Sequence, residues 1–213
     1  RLPETTRFIE RHDKQLETTT HIDRSRLFTQ SLVAIFGNVF IAASSVFQIR
    51  YLRDVRDYSA IDITAFTLVT GTPASIGLLI GGRVADSSGR RLLSAITFPL
   101  GAILLTLAFS TSGQPMWIAS LSGGICLGLA YPAMAVYRGE MFPTLHRSFA
   151  SSVIMTASLI GGSIGLVGAG IFLNRDISYG QVMAWLTLGP IIAGTLVYTT
   201  FPESAHRELE ELN

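Results

Sequence analysis

Four groups of residues in this chain have types and spacings that could do chemistry. The run Gly82-Arg83-Val84-Ala85-Asp86-Ser87-Ser88-Gly89-Arg90-Arg91 places one carboxylate and two adjacent guanidiniums around a glycine. That combination suits ion pairing at a chain reversal. Glu140 and Arg147 flank Pro143 in a second short charged segment and could pair with each other or with the first. Ser31, Asn38 and Ser45 recur every seventh residue, so on a helix they drift by only about 20° per step and form one stripe, with Gln48 at its edge. Such a stripe offers hydrogen bonds, either to a neighbouring helix or to a solute in a wet cavity. Finally, Gly161-Gly162-Ser163-Ile164-Gly165-Leu166-Val167-Gly168-Ala169-Gly170 looks like a phosphate-cradling loop. That chemistry needs a preceding strand and a helix N-terminus in water, whereas these glycines sit inside a 27-residue uncharged run, Ser148 to Asn174. They read as close helix packing.

The chemistry that is missing is equally informative. No Asp, Glu, His, Lys or Arg lies deep in any apolar run, so the chain carries no proton relay at membrane depth and no acid–base pair for an intramembrane enzyme. Cys126 is the one cysteine and lies in an apolar run, which leaves neither a disulfide framework nor a cysteine metal site. No cofactor, metal or nucleic-acid partner is expected, and no catalytic residue is assigned.

The elements that must position these groups are set by where charge is absent. Hydrophobic residues make up 48% of the 213 positions and charged residues 15%, with a net charge of +1 and a mean hydropathy of +0.43, unlike a water-soluble domain. Uncharged stretches run from Leu27 to Ile49, Ile63 to Gly82, Leu92 to Tyr137, Ser148 to Asn174 and Ile177 to Pro202. A spanning helix needs about 20 apolar residues to cross roughly 30 Å of hydrocarbon. The third stretch is about twice that length and is broken by Ser110-Thr111-Ser112-Gly113-Gln114-Pro115, so it divides in two. Six spans are therefore predicted, at 28–49, 62–82, 92–111, 116–137, 149–173 and 179–201, preceded by a linker at 1–26 and followed by a tail at 203–213. On the side shared by linker, second and fourth loops and tail lie 12 of the 16 basic residues, against four opposite. The excess of basic residues puts both termini and the Gly82–Arg91 segment in the cytoplasm.

With span count and motif order in place, the chain resembles the major facilitator superfamily. In that family the loop after the second span of each half reads G-x-L-A-D-x-x-G-R-[RK]; here Gly82, Ala85, Asp86, Gly89, Arg90 and Arg91 match, with Val84 for Leu and Ser87 where a basic residue is common. Glu140-Met141-Phe142-Pro143-Thr144-Leu145-His146-Arg147 is similar to the E-x-[FY]-P-T-x-x-R segment of metabolite:proton symporters and sugar or organic-ion porters. Pro3-Glu4 and Pro202-Glu203 resemble the segments that close each half in the same subgroup.

The resemblance implies an all-α membrane protein: two inverted three-helix repeats forming the C-terminal bundle of a twelve-helix carrier. It implies a partner, the N-terminal six-helix half. The cargo would be a small organic solute, with or without a proton, carried by alternating access in a plasma (inner) membrane. It assigns a conformational latch to Gly82, Asp86, Gly89, Arg90, Arg91, Glu140 and Arg147. The first helix of each repeat borders the central cavity in this family, which makes Ser31, Asn38, Ser45, Gln48 and Tyr131 candidates for lining it. Any proton-coupling carboxylate would belong to the other half or to Asp62. The competing expectation is a non-transporting six-span scaffold or receptor-like module, which would need neither a second bundle nor a polar stripe facing a cavity.

Overall fold

The computed structural model describes residues 22–142 and 146–202, with the backbone alone at 139 and 140. Most of the predicted linker, the tail and residues 143–145 lie outside the described residues. Seven helices follow in order among the described residues: α1 (Arg24–Asp54), α2 (Ala60–Ser88), α3 (Arg90–Ala108), α4 (Gln114–Glu140), α5 (Arg147–Leu173), α6 (Tyr179–Leu186) and α7 (Leu188–Thr200). The last two make a single membrane-length element, so six helical spans are long and apolar enough to cross a bilayer.

Local chemistry sets the ends. The Asp23 carboxylate accepts from the backbone N–H groups of Ser25 (2.9 Å) and Arg26 (3.2 Å) and opens α1. Ser59 and Asp62 close a reciprocal capping box at the start of α2. That cap occupies Asp62, whose Oδ2 accepts the Ser59 hydroxyl at 2.6 Å. Gly113, at φ +62°, reverses the chain before Pro115 starts α4. Between α6 and α7 the helix breaks for one residue at Thr187, because Pro190 lacks the N–H that would reach Leu186 and its ring crowds that carbonyl.

The helices depart from the predicted spans in three places. α1 continues past Ile49 to Asp54, its last turn carrying an Arg50–Asp54 pair at 3.1 Å, four residues apart. α3 stops at Ala108 rather than 111, because the N–H groups of Phe109 and Ser110 tighten onto the carbonyls three residues back, Thr106 (3.1 Å) and Leu107 (3.0 Å). α2 continues through Arg83 and Asp86 to Ser88, so the charged segment is mostly helix. Gly89 alone interrupts it, at φ +92°, ψ +126°, a backbone conformation that side chains forbid.

The bundle is pseudo-symmetric in its packing. α2 lies along α4 as α5 lies along α1, and the α3–α4 contact has its counterpart between α1 and the α6–α7 element. The registers match as well. Gly77 and Gly81 of α2 face the backbone of Ile125 and Leu129, while Gly161 and Gly165 of α5 face the backbone of Ile35 and Val39. Glycines four residues apart let backbones approach where lipid offers no hydrophobic drive to association. Aromatic and aliphatic residues fill two clusters. One lies near the α1–α2 turn (Phe47, Tyr51, Leu52, Phe66, Phe109) and one toward Gly89 (Phe98, Tyr137, Phe142, Ile154, Phe201). These two ends are called the cap end and the hinge end below.

Candidate solute cavity and hinge

A cavity of about 560 Å³ opens on the bundle between α1, α2, α4 and α5, with Phe98 of α3 also in its wall. Each of the first four contributes polar atoms: Asn38 from α1, Ser75 from α2, Tyr131 and Arg138 from α4, Ser158 from α5. On α4 the lining positions Gly124, Leu127, Gly128, Tyr131, Met134 and Arg138 recur at helical spacing, so one face of that helix forms the wall.

Asn38 does both things its residue type allowed. Its amide nitrogen donates to the Ser158 carbonyl at 2.7 Å, tying α1 to α5, while the side chain also lines the cavity. The reach depends on Gly162, where a Cβ would come within 2.8 Å of that amide nitrogen. Most hydroxyls within the helices fold back to the carbonyl four residues earlier, as Thr70 does to Phe66 (2.8 Å) and Thr156 to Ser152 (2.9 Å). The hydroxyls of Ser75, Tyr131 and Ser158 have no hydrogen-bond partner among the described residues. Hydrogen-bonding capacity inside a membrane protein is seldom left unspent, and here it faces one space.

The other stripe residues do not reach this cavity. Ser45 borders a separate, open groove at the cap end with Arg50, Arg53 and Asp54. The Gln48 amide donates to Ser120 at 3.1 Å, holding α1 to α4. Ser31 has its hydroxyl oxygen buried without a partner among the described residues. A seven-residue stripe drifts slowly around α1, but its neighbours change along the helix, so one stripe meets three environments. Sequence reasoning passed over Gln30, which is buried at the hinge end and donates to the Tyr137 carbonyl at 3.1 Å. It also counted Arg138 only as a charge for orientation. Ser158 carried no sequence signal, whereas Ser75 lies beside the Thr70–Pro73 polar cluster and could have been drawn from it.

At the hinge, Arg90 at the start of α3 reaches back across Gly89 to Asp86 of α2 at 2.8 Å, with the arginine side chain 17% exposed and the carboxylate 62%. The Arg91 guanidinium sits 5.4 Å from the centroid of the Tyr198 ring, which joins the start of α3 to α7. Gly89 provides the reversal. Gly82 packs against nothing within 4 Å of a would-be Cβ; its neighbour Gly81 is the one pressed on α4, 2.7 Å from the Leu129 carbonyl oxygen. Glu140 ends α4 and Arg147 begins α5. The Arg147 Nε is buried without a partner among the described residues, and the Glu140 side chain lies outside them. At the cap end Arg56 donates from Nε to the Tyr51 hydroxyl at 2.9 Å and from its terminal nitrogen to the Thr111 carbonyl, pinning the α1–α2 turn to the end of α3.

Among the described residues, six apolar helices in inverted threes, beside a largely apolar cavity with a few polar groups in its wall, define a multi-pass integral membrane protein. Residues 16–212 match the model of the Major Facilitator Superfamily, and the chain belongs to that family. It is 32% identical over 133 residues to a protein described as probable polyol transporter 4 of Arabidopsis thaliana, covering 60% of this chain and 25% of that one. It is 25% identical over 199 residues to an MFS-type efflux pump of Mycolicibacterium smegmatis, covering 84% and 46%. The fold is similar to that of the inward-open xylose transporter XylE from E. coli, with a TM-score of 0.61 and 19% identity over 84% of this chain and 48% of that one. The chain thus spans between a quarter and about half the length of the curated relatives it matches.

Proposed function

We propose that the chain is the C-terminal six-helix half of a secondary carrier that moves a small polar organic solute by alternating access. The observation that carries this reading is the cavity. Four helices bring polar groups to it, and their amide and hydroxyl groups retain hydrogen-bonding capacity that a solute would use. In this proposal Asn38 and Tyr131 contact solute, and an N-terminal half closes the open side. Ser31, Ser45 and Gln48 support the bundle. The Asp86–Arg90 pair, with Gly82, Gly89, Arg91, Glu140 and Arg147, biases the balance between inward- and outward-open states. Any proton-titrating carboxylate is placed in the other half, since none lines this cavity among the described residues and Asp62 is held in a cap. The proposed setting is a plasma (inner) membrane with both termini in the cytoplasm.

The test uses the full-length protein purified into proteoliposomes, with counterflow of labelled polyols, sugars and sugar acids. Asn38→Ala and Tyr131→Phe are expected to raise KM about ten-fold for the transported solute, the loss from removing one hydrogen bond in a buried site. A folded protein that moves none of these solutes sinks the transport reading. Unchanged KM in both variants sinks the assignment of the cavity.

A further inference from the structure

The cavity holds one formal charge among the described residues. Arg138 lines its hinge end, seven residues beyond Tyr131 on the same face of α4, about 10 Å further along the helix axis. No carboxylate lines the space among the described residues. Other arginines of the bundle are committed: Arg26 to Asp23, Arg50 to Asp54, Arg90 to Asp86, Arg91 to the Tyr198 ring, Arg56 to Tyr51 and Thr111. Arg24, Arg53, Arg83 and Arg175 are exposed, and Arg147, whose Nε is buried without a partner among the described residues, does not line the cavity. Arg138 is half-buried, and its contact is Nη1 to the Met155 thioether sulfur at 3.4 Å, a weak acceptor that supplies no counter-charge.

We propose that the transported solute is an organic acid with a hydroxylated chain, whose carboxylate pairs with Arg138 while its hydroxyls meet Asn38, Ser75 and Tyr131. This rests on the transport reading and goes further by naming the substrate's charge. The guanidinium presents two parallel N–H donors that match the two oxygens of a carboxylate. Half-buried against a sulfur, Arg138 is an unspent cation at the boundary of a largely apolar site. An entering anion supplies the missing counter-charge and recovers its own desolvation, whereas a neutral polyol of the same length does neither. The Tyr131–Arg138 separation suits a solute of sugar size, with the polar chain lying toward Asn38 and the acid group toward the hinge end. An arginine present only to set topology would be snorkelled into water; Arg138 instead forms part of the cavity wall.

The experiment compares two matched series in proteoliposomes of the full-length protein: hydroxy acids such as gluconate, and polyols of equal carbon number such as sorbitol. Wild type, Arg138→Gln and Arg138→Lys are each measured for uptake and for monodispersity. Wild type is expected to favour the acids. Arg138→Gln is expected to lower the ratio of acid to polyol uptake by about ten-fold or more, the loss of a charged partner in a specificity site, with Arg138→Lys recovering part of it. A carrier that moves polyols and not acids overturns the charge assignment while leaving transport standing. So does an Arg138→Gln variant that lowers both series equally. A folded protein that moves neither series overturns the transport reading and this inference with it.

Discussion

Asp86 illustrates how little a visible ion pair need contribute to stability while still mattering to function. Its carboxylate is mostly exposed, and an exposed ion pair of this kind contributes about 0.5 kcal/mol. Asp86→Asn should therefore leave the melting temperature nearly unchanged. If the hinge sets the balance of open states, the same substitution lowers turnover by about ten-fold with KM little altered, because a shift in population needs no contact with ligand. Steady-state uptake with a parallel thermal melt checks both halves of that statement, and normal turnover would remove Asp86 from the latch. At this scale the sequence was partly legible. Residue type and spacing drew attention to Asn38 and Tyr131, which the fold brings to one cavity. They also drew attention to Ser45 and Gln48, which it does not. The difference lies in which helix stands opposite each turn of α1, and that is a property of tertiary packing. Arg138 was legible only as a charge, because whether a residue near a helix end faces water or a cavity depends on the helices beside it.

Helices were easier to read than their faces. Long uncharged runs leave little but spanning helix available, since the bilayer core tolerates no unsatisfied backbone. What the runs did not disclose was which glycines are structural. Within α5, a Cβ at Gly165 would collide with the Val39 carbonyl and one at Gly161 with the Ile35 carbonyl, while Gly168 and Gly170 have nothing within 4 Å. Backbone atoms cannot rotate away, so Gly165→Ala must push α1 and α5 apart at a cost of about 1–3 kcal/mol. Gly168→Ala meets no neighbour and replaces a poor helix former by a good one, a gain of up to about 1 kcal/mol. Thermal unfolding of the two variants in detergent should shift in opposite directions. Equal shifts would mean that α5 does not lie against α1 in this register. All four glycines looked alike in the sequence, because a helical period names a face but not the face's neighbour.

At the scale of the molecule, the matching glycine registers of α2 on α4 and α5 on α1 make each first helix the partner of the other repeat's second helix. The two repeats are thereby interlocked, and neither can tilt without carrying the other. In the proposed carrier such a bundle moves as one body, and the transport motion occurs against the proposed N-terminal half. For such a body, orientation in the bilayer decides which end of the cavity a solute reaches first. Among the described residues seven arginines, Arg24, Arg26, Arg83, Arg90, Arg91, Arg138 and Arg147, lie on the hinge side of the six spans against four on the cap side, and basic residues are retained on the cytoplasmic side during insertion. Cysteine introduced at Ser88, beside the hinge, should therefore react with a membrane-impermeant maleimide only after the cytoplasmic face is opened. Cysteine at Ser112, in the turn between α3 and α4, should react in intact cells. Both measurements need a background from which Cys126 and any other native cysteine have been removed. The reverse pattern would place Arg138 at the extracellular mouth. In the expected pattern its guanidinium stands at the cytoplasmic end of the cavity, where an acid bound from outside would arrive last and be released first.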